Sequence, residues 1–387
     1  MKKDFSKATR LILSLMAMVG IFFLLFWLEG QKSQYGMLIS VMQKGVILSI
    51  AAVSMNLLTG FTGLFSLGQA GFMAIGAYVT GILTIPVDRV DSVYYVNGMS
   101  EGLKSFKETL AVLPSPVLVA LALIAGGLVA AIFAGLVGIP VLRLKSDYLA
   151  IATLGFAEII RAVIASPQLD KITNGSYGIK AIPGFDLGNG RGMLLIPFGV
   201  AFLCIGLIVL LIKSSYGRAF KAIREDDIAA EAMGIGLFKH KQLSFIISSF
   251  FTAISGGLLA MFMRSIESRA FQIILTYDIL LIVVIGGIGS ITGSVVGAFL
   301  VTFAKEWWLR FFDTPLTING VQIPLLRQGF RMVVFSVLLM AIVLFYRKGL
   351  LGNTEFSWYG FLTWPSRFFK RKKPVSATPG EGGAGDE

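Results

Sequence analysis

The sequence predicts an all-α protein, a polytopic transmembrane helical bundle of about ten membrane segments (roughly eight to eleven), some of them glycine-broken or re-entrant. Three observations predict it. Hydrophobic residues make up 55% of the 387 residues, charged residues only 14%, and mean hydropathy is +0.79, too apolar for a chain covered by water. Several windows reach the roughly 20 apolar residues that a helix needs to cross about 30 Å of hydrocarbon. Lipid satisfies no backbone polar group, so those windows must be helices. Finally, Lys and Arg gather beside the apolar blocks, where they set orientation and meet anionic lipid.

Taken in order, Lys2, Lys3, Lys7 and Arg10 precede an apolar run from Leu11 to Leu28. No small-residue cleavage site of the A-x-A kind follows, which predicts a retained first span rather than a cleaved signal peptide. The block 37–85 is long enough for two crossings, and Gly60, Gly63, Gly68 and Gly71 interrupt it around Thr59, Thr62, Ser66 and Gln69. Blocks 117–139, 148–165, 193–212 and 243–263 each supply one span. Cys204 lies inside the third of these and reads as a small core residue with no partner for a disulfide.

Block 276–303 is the second interrupted one, with Gly286, Gly287, Gly289 and Gly293 among Ser290, Thr292 and Ser294. A single crossing here would leave the basic tail on the wrong side, so two short segments or a re-entrant hairpin are expected. A last span is predicted at 330–346. Glycines such as Gly289, Gly293 and Gly297 at four-residue spacing also allow close helix packing, a reading compatible with their lining a transport path.

Counting from a cytoplasmic N-terminus puts 29–36, 86–116, 166–192 and 264–275 outside. Arg143, Lys145, the loop 213–242 and the tail fall inside. The domain organisation that follows is a membrane domain at 1–347 and a cytoplasmic tail at 348–387. In that tail Phe356, Trp358, Tyr359, Phe361 and Trp364 before Lys370–Lys373 suggest an interfacial segment, ending in a disordered ATPGEGGAGDE. In the outer loops, Asn97-Gly98 and Asn319-Gly320 suggest small hairpins or solvated connectors.

Several function classes are disfavoured, an ion-coupled secondary carrier remaining the weaker alternative. The formal net charge of +12 does not point to nucleic acid, because the basic residues border apolar spans and meet membrane lipid instead. His240, the single histidine, reads as a solvated loop residue and gives a metal site nothing to build on. An enzyme is disfavoured by the lack of a histidine cluster, nucleophile motif or paired carboxylates. Glu158 and Arg161 are spaced for an ion pair on one helix face, and Asp278 and Glu306 border the second glycine-rich block, where water should reach them. An ion-coupled secondary carrier should have paired ionisable residues deep in its spans, and almost none are evident.

The most informative stretch is the cytoplasmic loop SSYGRAFKAIREDDIAAEAMGIGLFKHKQLSF at 214–245. Asp226 or Asp227 can cap a helix start, IAAEAM has high helix propensity, and Gly234 and Gly236 supply a stop. A short helix outside the bilayer is predicted. The string AIREDDIAAEAMGI resembles the ATPase-coupling signature of ABC importer permeases, in the version found in branched-chain amino-acid permeases of the LivM type. The stretches NLLTGFTGLFSLGQAGFMAIGAY at 56–78, RLKSDYLAIATLGFAEIIRAVI at 143–164 and VVIGGIGSITGSVVGAF at 283–299 look like that family's segments, in its order. One departure is Thr173-Asn174-Gly175-Ser176-Tyr177-Gly178, where the family usually carries Thr-Gly-Gly-Pro-Asn-Gly.

The resemblance implies a multi-pass subunit of the bacterial plasma (inner) membrane with both termini cytoplasmic. Its partners would be a homologous second permease subunit, two ABC ATPase subunits and an extracytoplasmic binding protein. No G-x-x-x-x-G-K-[ST] phosphate loop occurs, so no cofactor is expected on this chain and ATP is used by the partner ATPases. Arg224, Glu225, Asp226, Asp227, Glu231 and Gly234 are the expected coupling residues. Small polar residues inside apolar blocks, Ser66, Gln69, Thr153 and Ser290, are the candidates for the substrate path. A urea or short-amide importer permease, which shares the glycine-rich segments, is the alternative.

Overall fold

The computed structural model describes residues 7–144, 146–185 and 192–308, with scattered residues between 317 and 352. Most of the expected span at 330–346 and of the tail 348–387 lies outside the described residues. By contacts the chain divides into one unit of residues 1–18 and 356–387 and another of residues 19–355.

Helix follows helix, as the apolar blocks require. The long elements are α1 (Lys7–Gly30), α2 (Lys32–Asn56, kinked at Tyr35) and α3 (Gln69–Thr84). After the short α4 (Val90–Val93) and α5 (Glu101–Leu110) come α6 (Ser115–Val141) and α7 (Ser146–Ile164). Next are α8 (Asp170–Thr173), α9 (Leu195–Lys213), α10 (Ser215–Glu225), α11 (Asp227–Ala232) and α12 (Leu237–Met263). The described helices end with α13 (Ile273–Gly286) and α14 (Ile291–Phe303).

Among the described residues four helices are long and apolar enough to cross a membrane, or six if two bent pairs, 69–84 with 87–93 and 148–164 with 167–173, each count as one span. The expected ten is a finer count than length and composition support among the described residues. Burial sorts these helices. Within the apolar 18-residue stretches of Leu237–Met263 and Gln34–Thr62, 78% and 67% of the residues are buried, so α12 and α2 form the centre. In those of Ser115–Val141 and Leu195–Lys213 the shares are only 39% and 28%. Their exposed side chains are apolar, Leu128 and Phe133 on α6, Phe202 and Leu210 on α9, which is the surface lipid would cover. Small residues let the central helices approach: a Cβ added to Gly76 of α3 would stand 2.6 Å from Ala253 Cα of α12.

Both predicted interruptions exist. The first is a π-helical turn, Leu57–Thr62, followed by non-helical chain to the start of α3. The second separates α13 from α14, where Gly287 and Gly289 have φ of +117° and +88°, a region open to glycine and costly for any residue with a Cβ. A Cβ on Gly293 would meet the Gly286 carbonyl carbon at 2.9 Å, so α13 and α14 pack as a tight hairpin.

The segments expected on one side gather at one end of the bundle. Ser100 N–H donates to Lys171 O at 3.1 Å and Asn97 Nδ2 to Asp170 Oδ2 at 2.9 Å, joining 86–116 to 166–192. Ile179 and Ile266 form a backbone bridge that adds 264–275. Glu29 Oε1 accepts from Leu194 N–H at 2.7 Å and Gly192 N–H at 3.1 Å, so the end of α1 caps α9 from a distance in sequence. At the opposite end Gln242 Nε2 donates to Gly135 O at 2.8 Å, bringing 213–242 to the end of α6.

Two readings need correction. Asn97-Gly98 is the solvated connector and not the small hairpin, because the chain around it is helical: Gly98 N–H bonds Tyr94 O at 3.0 Å in an exposed turn between α4 and α5. Around Asn319-Gly320 the expectation holds, with Thr317–Ile318 paired antiparallel to Val321–Gln322. His240 sits in the first turn of α12 rather than a loop, its Nδ1 2.8 Å from Gly236 O and its ring beside Tyr216 and Phe220. Near the departure at 173–178, Asn174 takes left-handed φ of 56° and its Nδ2 donates to Gly178 O at 2.7 Å and Val93 O at 3.1 Å. The amide closes this turn that the family's proline would have stiffened otherwise.

Candidate functional site

The loop at 214–245 folds into two helices and the start of a third. Asp226 is the N-cap of α11, its Oδ1 accepting from Ile228 N–H at 2.8 Å and Ala229 N–H at 3.0 Å. The helix stops at Gly234, whose φ of +82° lets its N–H reach Glu231 O at 2.9 Å while Ile235 N–H reaches Ala230 O at 3.1 Å. Asp227 pairs with Lys241 of α12 at 2.6 Å, so α11 is fixed at both flanks. Glu231 is exposed, and Ile228 and Met233 are 82% and 83% exposed. Two large apolar side chains thus stand exposed on an otherwise polar loop.

Arg224, at the end of α10, ties this loop to the bundle. Its Nη1 donates to Gly60 O at 2.5 Å, inside the π-helical turn, while its Nη2 and Nε hold the Glu225 carboxylate. Lys221 lies over the Phe61 ring, 5.6 Å from its centroid. The guanidinium therefore reads the first interruption directly.

Asn56, which the sequence reading did not single out, joins the first interruption to the second. Its side chain is fully buried. Nδ2 donates to Ser290 O at 2.9 Å and to Ser294 Oγ at 2.7 Å, and Oδ1 accepts from Gly289 N–H at 2.8 Å. A Cβ on Gly60 would stand 2.9 Å from Gly289 Cα, which requires glycine at 60, while the φ of +88° favours it at 289. A chain of contacts thus runs from α11 through Arg224 and Gly60 to Asn56 and the α13–α14 turn. An asparagine inside an apolar block, immediately before a glycine-rich break, was the available signal.

The path candidates fall into two groups. Ser66, Gln69 and Thr153 cluster at the start of α3, all buried. Thr153 Oγ1 accepts from Leu67 N–H and Thr276 Oγ1 from Ala70 N–H, each at 3.0 Å, so α7 and α13 satisfy the N–H groups at and just before the α3 start. Gln69 Oε1 accepts from Thr252 of α12 at 2.6 Å. Ser290 belongs to the other group, beside Asn56, and its Oγ accepts from Gly293 N–H at 3.1 Å as the cap of α14.

Ionisable residues are paired more than the sequence suggested. Glu158 and Arg161 form the expected pair at 2.7 Å. Asp278 and Glu306 are not simply solvated: Asp278 pairs with Lys305 at 2.6 Å and Glu306 with Lys44 at 2.5 Å, with all four side chains between 18% and 32% exposed. Sequence separation of 27 and 262 residues hid both pairs. Among the described residues no group of three or more His, Cys, Asp or Glu could hold a metal ion.

The family described as branched-chain amino acid transport system, permease component, matches residues 37–353. The high-affinity branched-chain amino acid transport system permease protein LivM of Escherichia coli K12 is 31% identical over 303 residues, 71% of this chain and 64% of that protein. A probable LivM of Methanocaldococcus jannaschii is 28% identical, covering 66% of this chain and 76% of that protein. A probable LivH from the same organism is 30% identical over 46% of the chain and 59% of that protein. The chain thus spans somewhat less than two thirds of the length of its Escherichia coli relative. No solved structure matches the chain.

Proposed function

Because the chain belongs to the branched-chain amino acid transport system permease component family, we propose that it is a membrane-spanning subunit of an ABC importer that carries branched-chain, apolar amino acids into the cytoplasm. Relatives named as branched-chain amino acid permeases support the substrate class. Likeness to proteins of both names, LivM and LivH, supports a homologous second permease as partner. Two ATPase subunits would supply the energy and an extracytoplasmic binding protein the substrate.

The observation that carries the proposal is α11: a capped, six-residue helix with Ile228 and Met233 exposed, fixed by Asp227–Lys241 and linked to Gly60 by Arg224. Ile228 and Met233 enter a groove on the ATPase, and Glu225, Asp227 and Glu231 orient it. Motion of α11 reaches the two broken blocks through Arg224 and Asn56. Ser66, Gln69, Thr153 and Ser290 line the hinge regions along which the path opens. The chain crosses the inner membrane about ten times, using nine described helices (α1, α2, α3, α6, α7, α9, α12, α13 and α14) and the segment 330–346, with both termini cytoplasmic.

The test is ATP-dependent uptake of labelled leucine, with urea in parallel, into vesicles holding the complete transporter or one lacking this chain. Leucine uptake that needs both ATP and this chain is expected. Urea uptake alone would move the substrate, and uptake without any ATPase would refute the importer. Substituting Asp227 and Glu231 together should abolish substrate-stimulated ATP hydrolysis; unchanged stimulation would remove α11 from the coupling role.

A further inference from the structure

Lys44 is the only charged residue between Gln34 and Thr62, a span of 29 residues that is otherwise apolar or neutral. A lone ammonium inside such a span is costly and calls for a reason beyond packing. It meets Glu306 at 2.5 Å, in the turn after α14. The two helices run antiparallel along this seam, Asn56 facing Ser294 at one end and Lys44 facing Glu306 at the other. The twelve residues between them on α2 set the two ends about 18 Å apart. Lys44 is thus remote from the Arg224–Gly60 contact and near the end of the bundle that gathers the segments assigned outside.

The pair does not close on itself. It lines a cleft of about 130 Å³ walled by Met37, Ser40, Val41, Lys44, Phe262 and Glu306. Val41 also lines a larger apolar cleft of about 580 Å³, shared with Leu38, Phe299, Phe303 and Trp308. One ammonium, one carboxylate, one hydroxyl and an adjoining apolar wall stand together.

The geometry points to the Lys44–Glu306 pair as the site that grips the backbone of a zwitterionic, apolar amino acid on its way through the subunit. The ligand carboxylate takes Lys44, the ligand ammonium takes Glu306, and the apolar side chain lies toward Val41 and the larger cleft. One ion pair opens and two form. The neighbouring Lys305 and Asp278 keep each other compensated at 2.6 Å. A ligand with only one of the two charges would open the Lys44–Glu306 contact and replace only one side of it, which is the basis of rejection. This inference rests on the amino-acid reading above and adds where and how the ligand is held.

The test is equilibrium binding of labelled leucine to the complete membrane complex of both permeases and both ATPases in lipid, without the binding protein. Leucinamide, which has only the ammonium, and 4-methylpentanoate, which has only the carboxylate, serve as competitors. Lys44→Met and Glu306→Gln should each weaken leucine at least tenfold. Lys44→Met should also erase the preference for leucine over leucinamide, and Glu306→Gln the preference over 4-methylpentanoate. A purely structural pair would change all three ligands equally, and that result overturns the site. Should the single variants fail to assemble, the exchanged pair, Lys44→Glu with Glu306→Lys, restores the ion pair but turns the zwitterion around. Assembly with at least tenfold weaker leucine supports the site, and wild-type affinity in the exchanged pair refutes it. If the unaltered complex binds no leucine while its uptake assay still works, the site fails alone; if uptake fails too, the amino-acid reading fails with it.

Discussion

Replacing Asn56 by leucine should uncouple the two broken blocks and destabilise the bundle by about 3–5 kcal/mol. The side chain makes three bonds of 2.7–2.9 Å across the seam, to Ser290 O, Ser294 Oγ and Gly289 N–H. Side-chain hydrogen bonds inside membrane bundles average about 0.6 kcal/mol, so the three together give about 2 kcal/mol. The half-buried Gly289 N–H would then be left without its acceptor, adding about 1–3 kcal/mol. Ser290 O keeps bonds from Ser294 N and Oγ, both at 3.1 Å, so it adds little. Thermal unfolding of the purified complex, with leucine-stimulated ATP hydrolysis read in parallel, measures both effects. In a double-mutant cycle Ser294→Ala should couple to Asn56→Leu by about 0.6 kcal/mol, since the same bond is lost twice. A leucine variant within about 0.5 kcal/mol of the unaltered protein and normally stimulated by leucine would refute the idea that Asn56 joins the interruptions.

Three further outcomes are expected. Arg224→Lys should keep basal ATP hydrolysis but lose about tenfold of its stimulation by leucine, because an ammonium cannot serve Gly60 O and Glu225 from one planar fork; equal loss of basal and stimulated rates would place Arg224 elsewhere in the cycle. Asp226→Ala should cost α11 about 1 kcal/mol of cap energy, seen as faster amide exchange at Ile228 and Ala229 and roughly fivefold weaker ATPase binding, while Asp226→Asn stays close to the original. Lys107, buried on α5 and donating to Ile82 O at 3.0 Å, has its ammonium pushed down to about 8 by desolvation. The unfolded chain holds that proton up to the ordinary 10.5, so the penalty is fully present below about pH 8 and is relieved as pH rises toward 10.5. Amide exchange on α5 should therefore slow between pH 8 and 9.5 after correction for intrinsic rates, by up to about 2 kcal/mol of protection, and Lys107→Met should flatten the dependence.

Much of the 214–245 loop was readable because its signals are local. Asp226, IAAEAM and Gly234 are consecutive, and caps, propensity and a left-handed stop act within one or two turns, so the predicted short helix appears where expected. The interruptions were legible for the same reason, since glycines and hydroxyl residues inside an apolar block weaken the helix at that point. Asn97-Gly98 became the connector and not the hairpin because its neighbours belong to short helices α4 and α5 docked on residues 170–171, a tertiary demand that leaves no strands for the turn to join. Asn56 and Lys44 were passed over because each is one polar residue in an apolar helix, and nothing nearby in sequence names its partner.

Composition and periodicity by themselves determined that this chain lives in lipid as helices, which ends share a side, where two helices break and that a capped helix stands on the loop. Those follow from hydropathy, positive charge and backbone propensity, which are properties of single residues and short windows. Only the tertiary structure decided that the two breaks meet at Asn56, that Arg224 reads Gly60, and that Lys44 faces Glu306 across 262 residues. The physical reason is that a buried polar group must find a partner, and the fold, rather than the neighbouring sequence, determines which one comes within reach.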